Sequence, residues 1–280
     1  MKLKRPPFSP RALRGALLLF PLAMASQAAF AVQSPALDRV SLWVGGYYPT
    51  MDTVISASDK NHLASGHVDL ENDLGFRRHK ITPRVRLDFL VGEHQGFALD
   101  YYNVRRTRTK SLSRDVSYGG NDYRASASVS GKLDFDFGSV AYRWWLGSGN
   151  DVFGVGLGGA YYGVHAGIRG TASVNDEHAE ASTSTSETAW APLLQLGWRH
   201  AFNNNVRIYA DVSGVKKNGG RLSGHIYNTA LGVEWFPWEN VGVGAEYDYT
   251  KIKLAQHKKT YNANLDMKLK GPSLFVRFRF

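Results

Sequence analysis

From residue 40 onward, apolar and polar side chains alternate with a period of two, which is the pattern of β-strands rather than of helices. In 81–89 the odd positions are apolar, whereas in 274–280 the even positions are apolar and Arg277 and Arg279 stand between them. The same alternation recurs in 40–44, 97–102, 123–146, 153–158, 190–198, 206–212, 227–235 and 241–249. The pattern predicts an all-β chain of about ten antiparallel strands in an up-and-down meander, with eight strands as the alternative.

One of these runs changes phase. Across 123–146 the apolar positions are odd up to Phe137 and even from Val140 onward. A β-bulge inserts one extra residue into a strand and shifts its alternation by one position. We therefore predict a bulge near Gly138 and Ser139.

The connections between the strands alternate between short and long. Short ones fall at 92–96, 147–151, 203–205 and 237–240, and long polar ones at about 50–78, 109–122, 167–187, 216–224 and 254–266. A soluble β-sandwich, the alternative fold, has no reason to place every long loop at one end. A closed transmembrane β-barrel has tight turns at one end and long loops at the other, and closure pairs every backbone group as lipid requires.

The first 31 residues have the composition of a cleaved secretory signal. A basic start precedes an uncharged apolar run over 15–25, and Ala29-Phe30-Ala31 fits a signal-peptidase site. The apolar run is shorter than the roughly 20 residues that a membrane-spanning helix needs. We therefore expect a signal peptide at 1–31, export with cleavage near Ala31, and a barrel domain at 32–280.

The composition excludes several other classes. Residues 1–31 hold five of the 34 Lys and Arg and none of the 24 Asp and Glu, so the formal net charge of the remainder falls from +10 to +5. That charge, with no nucleic-acid-binding motif, argues against a nucleic-acid partner. The sequence has no cysteine, so we expect no disulfides to close the fold.

Aromatic residues indicate which face meets lipid. One group lies beside the short turns and the other toward the long loops, as the two interfacial belts of a membrane barrel do. The first group is Trp145, Trp198, Phe202, Trp235, Phe236, Trp238 and Phe280, and the second is Tyr47, Tyr48, Tyr101, Tyr102, Tyr161, Tyr162, Trp190, Tyr247 and Tyr249. The alternating apolar face between the belts is then the lipid face.

The opposite face is predicted to point into the lumen and to carry balanced charges. Its basic members are Arg84, Arg86, Lys132, Arg143, Arg199, Arg207, Arg277 and Arg279, and its acidic members are Asp88, Asp100, Asp134, Asp136, Asp211, Glu234, Glu246 and Asp248. Buried charges have to be paired, and small barrels are largely filled by their own side chains. We expect a paired, mostly occluded lumen, with a narrow channel as the alternative because Gly154, Gly156 and Gly158 leave interior space.

With this alternation, a leader and a terminal Phe280, the chain resembles Gram-negative outer-membrane β-barrel proteins, of the small OmpA and OmpW type. In such proteins the barrel-assembly machinery reads a last strand that ends in Phe and carries apolar residues at every second place. Val276, Phe278 and Phe280 match that signal, so the resemblance implies this machinery and periplasmic chaperones as partners. The segment 68–75, followed by an arginine-rich strand, is similar to a group of proteobacterial barrels with no assigned chemistry. The resemblance covers residues 32–280 and says nothing of activity.

Enzymatic and metal sites have weaker support in the sequence. Ten-stranded barrels include the omptin proteases, whose Asp pair and Asp–His pair are mimicked in spacing by Asp134 with Asp136 and by Asp176 with His178. The first pair suits the lumen face better, and the second lies in a Ser/Thr-rich connector where general-base geometry is hard to hold. Acidic residues at 69, 71 and 73 have a spacing compatible with Ca²⁺, but acidic loop residues are usually solvated. We expect no enzymatic activity and no cofactor.

Basic residues recur where the strands meet the long loops. They are Arg77, Arg78, Arg105, Arg106, Arg108, Lys216, Lys217, Lys251 and Lys253. Phosphate groups attract such side chains, most strongly Arg, and the outer leaflet of the membrane named above consists of lipopolysaccharide. The sequence thus predicts a non-enzymatic outer-membrane barrel that contacts lipid and lipopolysaccharide in a structural or surface-interaction role. The oligomeric state, the ligand and any transported solute are not determined by the sequence.

Overall fold

The computed structural model describes the fold of residues 34–59, 65–111, 116–118, 121–123, 128–174, 177–257 and 261–280. It is built from β-strands and the turns between them. The strands are β1 (Val40–Tyr47), β2 (Thr50–Asp59), β3 (Ser65–Asp69), β4 (Thr82–Leu90), β5 (Gln95–Ser111), β6 (Val116–Tyr118), β7 (Asn121–Tyr123), β8 (Ser128–Leu146), β9 (Asp151–Val174), β10 (Glu177–Ala201), β11 (Val206–Lys217), β12 (Leu222–Trp235), β13 (Val241–His257) and β14 (Tyr261–Arg279). In the part of the chain that is described, no helix is long and apolar enough to cross a membrane.

The sheet closes on itself. Antiparallel neighbours follow chain order from β4 to β14 apart from the small β6–β7 hairpin, and β1 pairs with both β4 and β14. β2 pairs with the first half of β14 and β1 with its second half, so β1 and β2 together occupy one position of the barrel. The result is a closed ten-stranded antiparallel meander, which confirms the predicted fold and the strand number of ten rather than eight.

The connections fall at two ends, as predicted, but the long ones are largely strand. Residues 91–94, 147–150, 202–205 and 236–240 form the turn side, where β1 also begins. At the other end, the loop side, the predicted connector at 167–187 is instead an unbroken ladder in which β9 and β10 pair from Asp151 with His200 up to Val174 with Glu177. The polar run 179–186 shows no hydrophobic period, but ladder pairing needs only backbone groups, and Ser and Thr are compatible with it.

The predicted bulge at Gly138 and Ser139 is wrong. The register between β5 and β8 is continuous, with Gly138 opposite Tyr101 and Ser139 opposite Asp100. The odd residues of β8 point inward along the whole described strand, from Leu133 to Trp145. The odd residues of β8 therefore face inward on both sides of positions 138–139. What changes at these positions is the polarity of each face: the inward residues go from apolar to partly polar and the outward residues from polar to apolar.

This change of polarity divides the barrel into two halves. In the turn-side half the outward residues are apolar and exposed, such as Leu157, Leu231 and Leu274, with relative exposures of 55%, 62% and 70%. The inward residues there are charged. In the loop-side half the inward residues form one buried hydrophobic core and the outward residues are polar. The largest fully buried members of that core are Tyr162, Phe135, Phe137, Met51, Leu74, Leu133, Ile226, Ile252, Met267 and Leu269.

The aromatic belts are present on the outer surface but contain fewer residues than predicted. Trp235, Trp238, Phe202 and Phe280 are exposed beside the turns, and Tyr48, Tyr101, Trp190, Tyr247 and Tyr249 are exposed nearer the loops. Five predicted belt members point inward and are buried. They are Tyr47, Tyr102, Tyr162, Trp145 and Phe236. Each occupies an inward position of its strand or adjoining turn, where it packs against arginines or against the core instead of the lipid.

Candidate functional site

The centre of the turn-side lumen is a network of ion pairs that crosses the barrel. Arg84 and Arg86 on β4 reach Glu246 and Asp248 on β13, although β1 and β14 lie between these two strands. Arg84 donates to Asp248 at 2.9 Å and to both carboxylate oxygens of Asp100, at 2.9 and 2.6 Å. Arg86 donates to both oxygens of Glu246 at 2.8 and 2.7 Å. Bidentate guanidinium–carboxylate pairs of this kind fix geometry as well as neutralising charge.

Neutral side chains donate further hydrogen bonds to the carboxylates of this centre. The hydroxyl of Tyr209 donates to Glu246 at 2.6 Å, and that of Ser273 donates to Asp248 at 2.7 Å. The guanidinium of Arg86 also lies 4.8 Å from the ring centroid of Trp43, which is buried. The β4 and β13 side chains therefore bind each other instead of lining an open passage.

A second cluster lies beside the first. Asp211 on β11 accepts from Arg199 at 3.0 Å and lies 3.6 Å from Arg143. Arg143 also donates to Gln195 at 2.8 Å. Both guanidiniums stack on Trp145, each 5.2 Å from its ring centroid, and Trp145 in turn occupies the space above Gly154.

A third cluster lies at the turn-side mouth. Its main acidic residue is Asp38, which the sequence analysis did not identify as a lumen residue. The side chain of Asp38, in the segment 34–39 before β1, is 4% exposed and lies 2.7 Å from Arg207, 3.4 Å from Arg277 and 4.0 Å from Arg279. Arg277 also donates to Glu234 at 2.6 Å. Ala36 and Leu37 anchor the segment by packing with Trp145, Val152 and Ala201. No alternation precedes β1, so the periodicity gives no sign that Asp38 enters the barrel.

The three clusters thus contain most of the predicted lumen residues. Asp88 lies at the edge of the third cluster, 3.9 Å from Arg277. Between the clusters is a cavity of about 60 Å³, lined by Arg84, Arg143, Arg199, Asp211 and Asp248 among others. A polar space of this size holds a few water molecules.

Lys132, Asp134 and Asp136 are exceptions, because they point outward from β8. Lys132 lies 3.1 Å from Asp134 on the outer surface, and Asp136 accepts from Tyr101 at 3.3 Å and from Asn103 at 2.5 Å. Their positions in the lumen were inferred from the supposed bulge, and without it the even residues of β8 face away from the core. Asp176 and the side chain of His178 lie outside the described residues.

Arg106 is the exception among the predicted rim residues, because it is buried in the loop-side half. It lies 2.7 Å from Glu71 and donates to the hydroxyl of Thr53 at 3.0 Å and the carbonyl of Arg77 at 2.9 Å. The even residues of β5 from Gly96 to Arg106, such as Asp100 and Tyr102, face inward. Extending that phase by four residues from Tyr102 would have identified Arg106.

The acidic residues at 69, 71 and 73 lie in or beside the connection between β3 and β4, and the carboxylates of Asp69 and Asp73 stabilise it by hydrogen bonds to the backbone. The carboxylate of Asp69 accepts the backbone N–H groups of Glu71 and Asn72, at 3.0 and 2.8 Å, and Asp73 accepts that of Asp69 at 2.9 Å. Leu74 and Phe76 of this connection are buried in the core. Within the described ranges, no group of three or more His, Cys, Asp or Glu side chains is suited to a metal ion.

The other predicted basic side chains lie on the outside of the loop-side half or at its rim. Arg77, Arg78, Arg105, Arg108, Lys216 and Lys253 are exposed, while Lys217 and Lys251 are partly covered. Val276, Phe278 and Phe280 of the last strand face outward, as the assembly-signal hypothesis requires. The structure therefore places paired charges inside the turn-side half and exposed basic side chains on the outside of the loop-side half.

Comparison with solved structures identifies the fold. The outer membrane protease OmpT from Escherichia coli matches with a TM-score of 0.52 and 10% identity, over 86% of this chain and 97% of that one. The translocator domain of the autotransporter NalP from Neisseria meningitidis has a TM-score of 0.46 and 11% identity, over 88% of this chain and 89% of that one. The outer membrane protein OprG from Pseudomonas aeruginosa has a TM-score of 0.41 and 11% identity, over 89% and 100%.

No family model matches the sequence, and no curated protein matches it. The fold is that of outer-membrane β-barrel proteins. Identity this low carries no information about activity, because one barrel fold hosts unrelated functions.

Proposed function

We propose that this protein is a non-enzymatic outer-membrane barrel whose lumen is closed and whose basic exterior contacts lipopolysaccharide. Its role is then structural or that of a surface-interaction protein. The observation that carries the proposal is that both halves of the interior are filled, one by paired charges and the other by a hydrophobic core.

The two fillings close the barrel by different means. Water and ions do not cross a close-packed apolar core such as that around Phe135, Leu133 and Met267, each 0% exposed. Below it, the arginine–carboxylate pairs hold each other at hydrogen-bond distance, and breaking a buried pair is strongly unfavourable. The segment 34–39 adds a third obstruction at the turn-side mouth.

Single-channel recording in planar bilayers tests the closed lumen. We expect the purified full-length protein to give no steady conductance steps, while a known porin in the same bilayer does. A narrow passive channel for small solutes is the second candidate, favoured by the polar cavity of about 60 Å³. Steady conductance steps would replace the first proposal with the second.

Export and insertion are part of the proposal. Residues 1–31 act as a signal that is cleaved near Ala31, and the barrel-assembly machinery with periplasmic chaperones receives the last strand. The N-terminal residue of the protein isolated from outer membranes tests the cleavage: a mature chain that still contains 1–31 would refute it.

Contact with lipopolysaccharide is supported by the clustering of outward basic side chains on the loop side of the apolar band. The measurement is binding of purified protein to lipopolysaccharide, with vesicles of phosphatidylethanolamine, whose headgroup has no net charge, as the reference. Equal binding to both would exclude an attraction to the net negative charge of lipopolysaccharide.

A further inference from the structure

Four neighbouring strands place their outward side chains in one row on the outer surface. Lys251 of β13 lies directly opposite Tyr227 of β12 on one side and Lys268 of β14 on the other. Lys268 lies in turn opposite Asp52 of β2. The row therefore reads Tyr227, Lys251, Lys268, Asp52 around the barrel.

The two central lysines are in an unfavourable arrangement for a bare surface. Like charges that lie directly opposite each other on adjacent antiparallel strands repel and destabilise the pairing. Asp52 is shared between Lys268 and Arg78, so its single negative charge offsets only one of these two cations. Lys270, one outward position nearer the turns on β14, adds a third exposed ammonium group.

One carboxylate partly offsets this cluster. Asp266 lies 3.8 Å from Lys251 and 3.6 Å from Lys253, one row closer to the loops. Lys268 and Lys270 have no ion pair among the described residues. The surface thus carries an excess of positive charge around the neighbouring strand positions of Lys251, Lys268 and Lys270.

The row stands at the border of the apolar band. On β13 the outward residues toward the turns are Tyr249, Tyr247 and then Val243, and on β14 they end in Leu274, Val276 and Phe278. Tyr247 and Tyr249 are 56% and 39% exposed. Tyrosines occupy the membrane–water interface in barrels, so the ammonium groups lie at the level of the lipid headgroups.

We infer that Lys251, Lys268 and Lys270 bind one phosphate group of lipopolysaccharide. The phosphate lies between Lys251 and Lys268 and removes their mutual repulsion, with Lys270 completing the site. Tyr227 and Tyr249 contact the sugar ring that carries the phosphate. The inference rests on the proposed contact with lipopolysaccharide and names its site.

Binding of fluorescently labelled lipopolysaccharide to the purified full-length protein in detergent tests the site. The double variant Lys251→Gln/Lys268→Gln should bind about tenfold more weakly, because it removes two charge-assisted hydrogen bonds to the phosphate at a partly exposed site. Lys216→Gln/Lys217→Gln removes the same charge from another part of the basic rim and should weaken binding less than the Lys251/Lys268 variant does. Dephosphorylated lipopolysaccharide should bind wild type and the Lys251/Lys268 variant equally.

A second variant is expected to increase the affinity, a result that a loss of protein stability would not produce. Asp266→Asn removes the carboxylate that competes for Lys251 and Lys253, so it should tighten binding to intact lipopolysaccharide. Competition with inorganic phosphate at millimolar concentration should leave binding in place, because a free phosphate lacks the tyrosine contacts.

The outcomes separate the two proposals. If wild type does not bind lipopolysaccharide, the proposed function fails. If wild type binds and the Lys251/Lys268 variant binds equally well, only this site is refuted. Full displacement by inorganic phosphate would show a general anion site and would also overturn the inference.

Discussion

At the scale of single residues, the barrel interior depends on arginines that are shielded from bulk water and neutralised by carboxylates. Arg84, Arg86, Arg199 and Arg277 each reach a carboxylate within 3.0 Å. Removing one partner of a buried pair costs more than the pair contributes, because the remaining charge stays buried. Asp38 is the sharpest case, since among the described residues it supplies the one ion pair of Arg207, at 2.7 Å.

Asp38→Asn is therefore expected to destabilise the barrel by about 3 kcal/mol, within the range for a broken buried pair. The measurement is the urea midpoint of the purified barrel in detergent, followed by tryptophan fluorescence. Glu93→Gln, at an exposed turn on the same side, is the control and should keep the wild-type midpoint. Equal midpoints for both variants would mean that the segment 34–39 does not enter the mouth.

At the scale of elements, β8 shows how one strand serves two environments without changing its register. Its odd residues face inward throughout, as Phe135 and Phe137 in the core and as Arg143 in the charged lumen. Its even residues face outward, as Asp134 beyond the apolar band and as Val140 within it. The hydrophobic face moves from one side of the strand to the other because the exterior changes from water to lipid.

Phe135→Ala should thus cost about 3–5 kcal/mol, because it opens a cavity in the core, whereas Asp134→Ala should change stability by no more than about 0.5 kcal/mol. Urea unfolding of the two variants measures the difference. Greater destabilisation by Asp134→Ala would restore the bulge and the inward position of Asp134.

The last strand makes a separate prediction about assembly. Deleting Phe280 should impair membrane insertion far more than Arg279→Gln, since Phe280 is outward and 70% exposed while Arg279 faces the turn-side mouth. The fraction of each variant recovered in outer membranes measures this. Equal insertion of the two variants would contradict the assembly-signal hypothesis.

At the scale of the whole molecule, the barrel is longer than a membrane is thick. β9 and β10 have 24 and 25 residues, which at about 3.4 Å per residue and a tilt near 40° span roughly 60 Å along the barrel axis. The lipid-facing band of such barrels is about 25 Å tall. The loop-side half therefore stands beyond the lipid and needs a core of its own, as a water-soluble domain does.

Cysteine labelling tests this placement, and the native chain has no cysteine to interfere. In intact cells a membrane-impermeant maleimide should label Lys132→Cys on the outer surface and should not label Leu231→Cys in the apolar band. Asn204→Cys, at a turn, should react only after the outer membrane is permeabilised. Labelling of Leu231→Cys in intact cells would place the lipid boundary elsewhere.

The sequence by itself determined the strand number, the closed meander and most lumen charges, because alternation with a period of two is a local property that each strand carries alone. It did not determine the polarity inversion within β8, the ladder of β9 and β10 or the inward positions of Arg106 and Asp38. An alternating run of apolar residues has the same sequence pattern whether it faces lipid or a protein core. Only the position of the run along the barrel axis distinguishes a lipid-facing run from a core-facing one. That position, and the partners of buried charges across the lumen, follow from closure of the sheet and were decided by the tertiary structure.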